Sequence, residues 1–253
     1  MKLNKNKRIG EVIFIVEGEK HEFNLIKRIF TDVLGYTQIQ KRRGKADYYV
    51  KNKDKYSKVA VINTKTSNIA SINEKEYLDN IFAELIEIYK FNVNNAAIYY
   101  LFDRDPESNV NTELILGLIR ALKNSRENEN NINGGLLILS YPSIESYEVS
   151  SFVDQSYKLC FRLGSEMKEY INSNAKTISM NKINEESIIH AALEMERLLE
   201  NNNFISNIPD FLEDFSIVNE SVFKSEEEWF YEKNGFYLLS MLSCVLLDLG
   251  ILY

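Results

Sequence analysis

The chain of 253 residues is long enough for one sizeable domain, or for a domain with a helical extension. Its 45% hydrophobic content is ordinary for a globular protein, and 10 glycines and 3 prolines are too few for an all-β design with many turns. Only two cysteines and two histidines occur, which disfavours a disulfide framework, a zinc site and Ser-His-Asp catalysis.

The charge is distributed unevenly along the chain. The net charge is −7, but residues 1–65 carry 16 Lys or Arg and 7 Asp or Glu, so this part is basic and the remainder is acidic. Such a division favours a surface that faces a polyanion such as nucleic acid. A Lys-rich face that is merely solvated is the alternative.

Apolar runs and helical spacing alternate through the first 142 residues. The runs that predict strands are Glu11–Val16, Lys58–Asn63, Ala96–Phe102 and Leu136–Leu139. Helical spacing of apolar residues is found in Lys20–Val33, Asn73–Lys90 and Asn111–Asn124. The alternation predicts an α/β domain with a parallel four-stranded sheet flanked by helices.

The second part of the chain, residues 143–253, has the pattern of a mostly helical extension. Helices are predicted at Ser143–Cys160, Ser165–Ser173, Glu185–Asn201 and Glu226–Leu249. The apolar stretch Phe236–Tyr253 has the length of a membrane span, but its polar residues Ser240, Ser243 and Asp248 favour a buried helix. We therefore expect no membrane partner, and, since the apolar run near the N-terminus is too short for a signal peptide, a cytoplasmic protein.

Acidic residues follow two of the predicted strands. Glu17 comes directly after the first strand, and Asp103 and Asp105 follow the third. Ligands of parallel sheets bind beyond the carboxyl ends of the strands, so these acids are expected at one edge. Two like charges in an Asp-x-Asp pair repel unless a cation lies between them, which predicts a magnesium-binding carboxylate cluster. An Asp-x-Asp pair in a surface loop is the alternative.

Three segments resemble Toprim domains, especially those of the RloB-like and OLD-type nucleases of anti-phage defence systems. Ile15–Ile26 (IVEGEKHEFNLI) resembles the first Toprim motif, and Tyr99–Asp105 (YYLFDRD) resembles the second. Leu139–Tyr147 (LSYPSIESY) resembles a later segment of the RloB-like proteins, in which a proline precedes a glutamate. The resemblance covers roughly residues 10–150 and implies a Toprim-like sheet.

The resemblance also implies a set of functional residues. Glu17, Asp103 and Asp105 would be catalytic and would bind one or two Mg²⁺ or Mn²⁺ ions, which activate water and polarise a phosphodiester. Glu22 and Glu145 would be additional metal ligands. Glu22 could instead be a solvated helix residue, and Glu145 an acid stabilised at a helix N-terminus.

A basic stretch lies between the first predicted helix and the second predicted strand. Lysines and arginines neutralise phosphates, and the interleaved tyrosines Tyr48, Tyr49 and Tyr56 can stack on bases. A solvated loop or hairpin and a contact with a protein partner are the alternatives. The residues predicted to bind nucleic acid are Lys41, Arg42, Arg43 and Lys45.

These patterns favour a metal-dependent nuclease that acts on DNA or RNA, including tRNA. The resemblance places it as the effector of an anti-phage defence system. The alternative is a non-catalytic metal-binding or regulatory subunit of a partner ATPase encoded nearby, because the chain has no phosphate-binding G-x-x-x-x-G-K-[ST] loop of its own. A primase-like nucleotidyl transferase is less favoured, and a homodimer is left open.

Overall fold

The computed structural model describes residues 1–18, 20–41, 46–64, 68–73, 75–126 and 134–253. It has an α/β architecture, with a mixed sheet whose central strands are mostly parallel and which is flanked by helices. The predicted α/β class is confirmed. The sheet contains antiparallel strands that the predicted four-stranded parallel sheet did not include.

The first half contains the predicted strands and helices in the predicted order, with β2, β3 and β6 in addition, and the second half differs more from the prediction. The strands are β1 (Glu11–Val16), β2 (Tyr36–Lys41), β3 (Ala46–Lys51), β4 (Asp54–Asn63), β5 (Ala97–Asp103), β6 (Lys123–Asn124), β7 (Gly135–Tyr141), β8 (Cys160–Phe161), β9 (Phe236–Tyr237) and β10 (Leu239–Ser240). The α-helices are α1 (His21–Lys27), α2 (Lys75–Tyr89), α3 (Thr112–Ala121), α4 (Glu145–Ser150), α5 (Gly164–Ser173), α6 (Glu185–Asn201), α7 (Ile208–Glu213), α8 (Phe215–Lys233) and α9 (Leu242–Asp248).

The chain forms two compact units. The sheet unit consists of residues Lys5–Leu101 and Ala121–Leu137. The helical unit consists of residues Met1–Asn4, Phe102–Arg120 and Ile138–Tyr253. The predicted division into residues 1–142 and 143–253 stays a prediction.

The sheet unit is built around β1, whose apolar residues Val12–Val16 are almost fully buried. β1 pairs in parallel with β4 on one side and with β5 on the other, so that Phe14 lies opposite Val61 and Tyr99. A strand with parallel neighbours on both sides must be covered on both faces, which explains its continuous apolar sequence. After α1 the chain continues as a π-helix, Arg28–Val33, whose Phe30 ring packs edge-on against Phe14.

Two antiparallel strands extend this sheet beyond β4. β3 pairs with β4, and β2 pairs with β3, in a region where the sequence predicted a basic loop or hairpin. Tyr48 and Tyr49 of β3 are buried, with exposures of 6% and 0%. The predicted role of these two tyrosines in stacking on bases is therefore wrong, because their rings are taken up by the core; only Tyr56, at 62% exposure, presents a ring to solvent.

The helical unit has its own apolar core. Val149 of α4 and Met167 of α5 pack with Ile178 and Leu238. The predicted helix Glu185–Asn201 is confirmed as α6, and a capping box in which Asn184 and Ser187 bond reciprocally fixes its first turn. In the described part of the chain, no helix has both the length and the apolar character needed to cross a membrane.

The predicted helices Ser143–Cys160 and Glu226–Leu249 are shorter than expected. The first is α-helical only in α4, and a short 3-10 helix follows at Ser156–Lys158. The second is interrupted after α8, where Asn234 adopts a left-handed conformation with φ of 57° and the chain turns into β9 and β10. Leu239 of β10 pairs antiparallel with Tyr141 of β7, so a sheet contact competes with helix formation here. The chain then re-enters a helix as α9.

The single tryptophan of the chain lies in the helical unit. The Trp229 ring, on α8, packs perpendicular to Tyr237 of β9 with the ring centroids 4.9 Å apart, and it also contacts Phe204. It joins α8 to β9 across the turn at Asn234.

Candidate functional site

In the sheet unit, Glu17 and Glu22 lie on either side of the turn that leaves β1. Glu17 is 6% exposed, and its backbone N–H donates to the carbonyl oxygen of Leu101 in β5 at 3.2 Å. Glu22 is 7% exposed, and its Oε1 accepts the backbone N–H of Gly18 at 3.1 Å. Glu22 is therefore a buried side chain that closes this turn, not a solvated helix residue.

In the helical unit, Asp103 and Asp105 follow one another across the end of β5. Oδ1 of Asp103 accepts the backbone N–H of Ile144, just before α4, at 2.7 Å. Oδ2 of Asp105 accepts the backbone N–H of Gly164, the first residue of α5, at 3.1 Å. Each carboxylate thus joins the end of β5 to the start of a different helix.

The turn after Asp105 fixes this arrangement further. Oδ1 of Asp105 accepts the backbone N–H of Glu107 at 2.9 Å, and the Asn109 side chain donates to the backbone oxygen of Asp103 at 2.8 Å. Asp105 therefore accepts main-chain N–H groups on both oxygens. Such contacts hold the carboxylate of Asp105 in one orientation.

Glu145 lies next to this pair, at the first residue of α4, and is 3% exposed. Its Oε2 accepts the hydroxyl of Ser143 at 2.7 Å, and its Oε1 lies 3.5 Å from the ammonium of Lys168. Gly164 lies close to both Ser143 and Asp105. A Cβ at this position would lie 3.1 Å from Oγ of Ser143 and 3.2 Å from Oδ2 of Asp105. The structure thus brings Asp103, Asp105 and Glu145 into one neighbourhood of the helical unit.

Arg104, between the two aspartates, is buried and directed toward α8. Its Nε and Nη2 donate to the two carboxylate oxygens of Glu227. This bidentate pair balances the positive charge of Arg104. Next to it, Glu226 is fully buried and accepts the backbone N–H of Tyr237 at 3.0 Å, and burial raises the pKa of Glu226 well above its usual range.

A different set of residues forms the tightest metal-ligating group. Among the described residues, the side chains that offer three ligand atoms all within 4.8 Å of one another are Asp154, His190 and Glu194. The carboxylates of Asp103, Asp105 and Glu145 are not a group of this kind within the described ranges. Sequence reasoning did not select Asp154, His190 or Glu194, although His190 and Glu194 are spaced by four residues on one helix, which places them on the same face.

Most of the predicted nucleic-acid-binding residues fall outside the described part of the chain. Arg42, Arg43 and Lys45 lie outside the described residues, and of Lys41 only the backbone, in β2, is described. Two other lysines of this basic region are engaged: Lys51 donates to the backbone oxygens of Lys5 and Lys7, and Lys58 pairs with Glu11. These contacts stabilise the sheet unit and reduce the number of cations free to bind phosphate.

Comparisons with models of protein families, with curated proteins and with solved structures found no match for this chain.

Proposed function

We propose that the protein is a metal-dependent nuclease of Toprim-like architecture that hydrolyses phosphodiester bonds, with Asp103 and Asp105 as its central metal-binding carboxylates. The observation that supports this most is the way both aspartates are held by main-chain N–H groups at the end of β5. Oxygen ligands fixed in this way need little reorganisation when a cation binds.

The donor set suits Mg²⁺ or Mn²⁺. These ions prefer oxygen ligands, and Mg²⁺ keeps several waters and is often bound by only one or two carboxylates together with the phosphates of the substrate. A carboxylate oxygen that accepts one N–H has a further lone pair for a metal. The spacing of Asp103, Asp105 and Glu145 is wider than that of Asp154, His190 and Glu194. It is compatible with one or two ions that share water and substrate ligands.

In this proposal the residues of the chain bind and orient, and the metal supplies the activation of water and the polarisation of the phosphate. Asp103 and Asp105 hold the ion. Glu145, which contacts Ser143 and Lys168, keeps a third carboxylate beside them. Glu17 as a ligand or a general acid or base, and Glu22 as a ligand, stay predictions from the resemblance.

The substrate in this proposal is nucleic acid, either DNA or RNA, tRNA included. Nucleic-acid contact at Lys41, Arg42, Arg43 and Lys45 is part of the proposal, since a basic segment would hold the phosphate backbone. A role as effector of an anti-phage defence system in the cytoplasm, with a partner ATPase or as a homodimer, rests on the resemblance.

A second candidate is a non-catalytic subunit in which the same acids organise loops or bind a regulatory metal. The observation that favours it is that Asp103 and Asp105 each bond the start of a helix, which is a sufficient structural role for an aspartate. In that case Asp103→Asn and Asp105→Asn would lower the free energy of unfolding and would otherwise behave like the wild type.

A cleavage assay with titrated Mg²⁺ and Mn²⁺ on mixed DNA and RNA separates the two candidates. We expect Asp103→Asn and Asp105→Asn to abolish metal-dependent cleavage while the fold is retained, because asparagine can still accept the N–H of Ile144 or of Gly164. Asp105→Asn then loses only the exposed bond from the N–H of Glu107. The matched control is Glu107→Gln, which removes an exposed carboxylate from the same turn and should leave cleavage unchanged. Full activity in both asparagine variants would refute the assignment.

A further inference from the structure

A second group of potential ligands lies in the helical unit, on α6 and the turn that follows α4. His190 and Glu194 are one helical turn apart on α6, and Asp154 approaches from the turn. Nε2 of His190 lies 2.9 Å from Oδ1 of Asp154, and the ligand atoms of all three side chains lie within 4.8 Å of one another. None of these residues belongs to the neighbourhood of Asp103.

Both ring nitrogens of His190 face oxygen atoms. Nδ1 lies 2.6 Å from the backbone oxygen of Ser150, which can only accept, so Nδ1 carries the proton. A neutral imidazole then has a bare lone pair on Nε2, directed at an Asp154 carboxylate that also only accepts. A metal ion bound between Nε2 and the Asp154 carboxylate would make this arrangement favourable.

The surroundings of the group match those of metal ligands. Histidines that bind metals commonly donate their other ring N–H to a backbone carbonyl, as His190 does to Ser150. Glu194, with a side-chain exposure of 1%, is held by the hydroxyl of Ser156 at 3.1 Å and by Arg197. Asp154 has a side-chain exposure of 88%, so it can close on an ion that enters from solvent.

We infer that Asp154, His190 and Glu194 bind a divalent transition-metal ion such as Zn²⁺. One imidazole nitrogen and two carboxylates form a donor set that suits Zn²⁺ and its neighbours, whereas Mg²⁺ takes oxygen ligands. Two ligands that each lie about 2.1 Å from one tetrahedral ion are about 3.4 Å apart, so the exposed Asp154 carboxylate must move outward by about 0.5 Å from its 2.9 Å contact with Nε2 when an ion enters. The inference is independent of the nuclease proposed above.

Nuclear magnetic resonance of histidine nitrogens tests the inference directly, since the chain has only two histidines, His21 and His190. We suggest the full chain with Cys160→Ser, which removes an exposed thiol that could bind zinc elsewhere. With stoichiometric Zn²⁺ at neutral pH, the Nε2 resonance of His190 should shift to that of a metal-bound nitrogen, while His21 serves as the internal reference. Mg²⁺ should leave both imidazoles unchanged.

Zinc titration calorimetry on variants completes the test. Loss of a ligand should weaken the affinity at least as much as loss of an outer contact, so we expect a reduction of at least about 10-fold for Asp154→Asn and about 100-fold for His190→Gln. Glu200→Gln, an exposed carboxylate on the same helix, is the matched control. Asp154 is exposed, so its variant should fold normally. If His190 keeps protons on both nitrogens in excess Zn²⁺, or if neither variant alters the affinity, the group is an ion pair and the inference is wrong.

Discussion

The guanidinium of Arg104 pairs with the carboxylate of Glu227, 123 residues further along the chain, through Nε at 2.5 Å and Nη2 at 2.7 Å. Arg104 is 3% exposed and also lies over the rings of Phe223 and Phe236. The positive charge of Arg104, which lies between the two aspartates in sequence, is therefore balanced mainly by Glu227 of α8.

We expect Glu227→Gln to destabilise the helical unit substantially. Removing one partner of a buried ion pair leaves the other charge uncompensated, which costs about 3 kcal/mol. Chemical denaturation of the variant measures this loss in the free energy of unfolding. The control is Glu228→Gln, since Glu228 is exposed on the same helix. Equal stability of the two variants would show that the Arg104 pair contributes little.

The neighbouring residue Glu226 should make the free energy of unfolding depend on pH. Burial raises its pKa in the folded protein, so the folded state holds the proton more tightly than the unfolded state does. Its contribution is fully present below the unfolded pKa, near 4.5, and is lost as the pH rises toward the folded pKa. Within that window the free energy of unfolding should fall by about 1.4 kcal/mol per pH unit.

Glu226→Gln should remove this pH dependence while keeping an acceptor for the N–H of Tyr237. We therefore expect the stability difference between the variant and the wild type to shift in favour of the variant as the pH rises above about 4.5. Urea denaturation over a pH series measures the two slopes. Identical slopes would mean that Glu226 is not held neutral.

Gly164→Ala should impair metal-dependent cleavage more than stability. The new methyl group would lie 3.2 Å from Oδ2 of Asp105 and 3.1 Å from Ser143, so both must shift. Overpacking of this kind typically costs about 1–3 kcal/mol. The same substitution at Gly117, within α3, meets no atom within 4 Å and should instead stabilise the helix by about 0.5–1 kcal/mol. If Gly164→Ala cleaves as fast as the wild type, the exact position of Asp105 does not determine activity.

Two substitutions at Glu22 distinguish a structural role from metal binding. Glu22→Gln keeps an acceptor for the Gly18 N–H, whereas Glu22→Ala leaves that donor without its partner and should cost about 1 kcal/mol of stability. If Glu22 only closes the turn, the glutamine variant should retain both stability and cleavage. A glutamine variant that is stable but has lost metal-dependent cleavage would support Glu22 as a ligand.

Much of the fold was accessible from the sequence because local patterns and burial agree there. The continuous apolar run of β1 and the helical spacing of α6 each have one favourable structure. The antiparallel pair of β2 and β3 was not predicted, since the density of lysine and arginine concealed the strand-forming character of Ala46–Lys51. The break after α8 had a signal in Asn234 and Gly235, both of which favour a left-handed turn.

The candidate site was accessible only in part. Strand ends pointed to Asp103 and Asp105, but the bonds from Asp103 to Ile144 and from Asp105 to Gly164 depend on tertiary packing that no local pattern reports. The same holds for Asp154, which lies 36 residues from His190. The spacing of His190 and Glu194 was visible in the sequence, but one such pair on a helix is common without a metal.

The position of Trp229 makes the helical unit optically distinct. Its indole ring is held against Tyr237 and Phe204, all within that unit, and it is the sole tryptophan of the chain. Excitation at the red edge of its absorption band therefore follows the helical unit alone, while far-ultraviolet circular dichroism follows both units. If the melting curves from fluorescence and circular dichroism coincide, the protein unfolds in a single cooperative transition. If their midpoints differ, the comparison shows which unit unfolds first, without any added label.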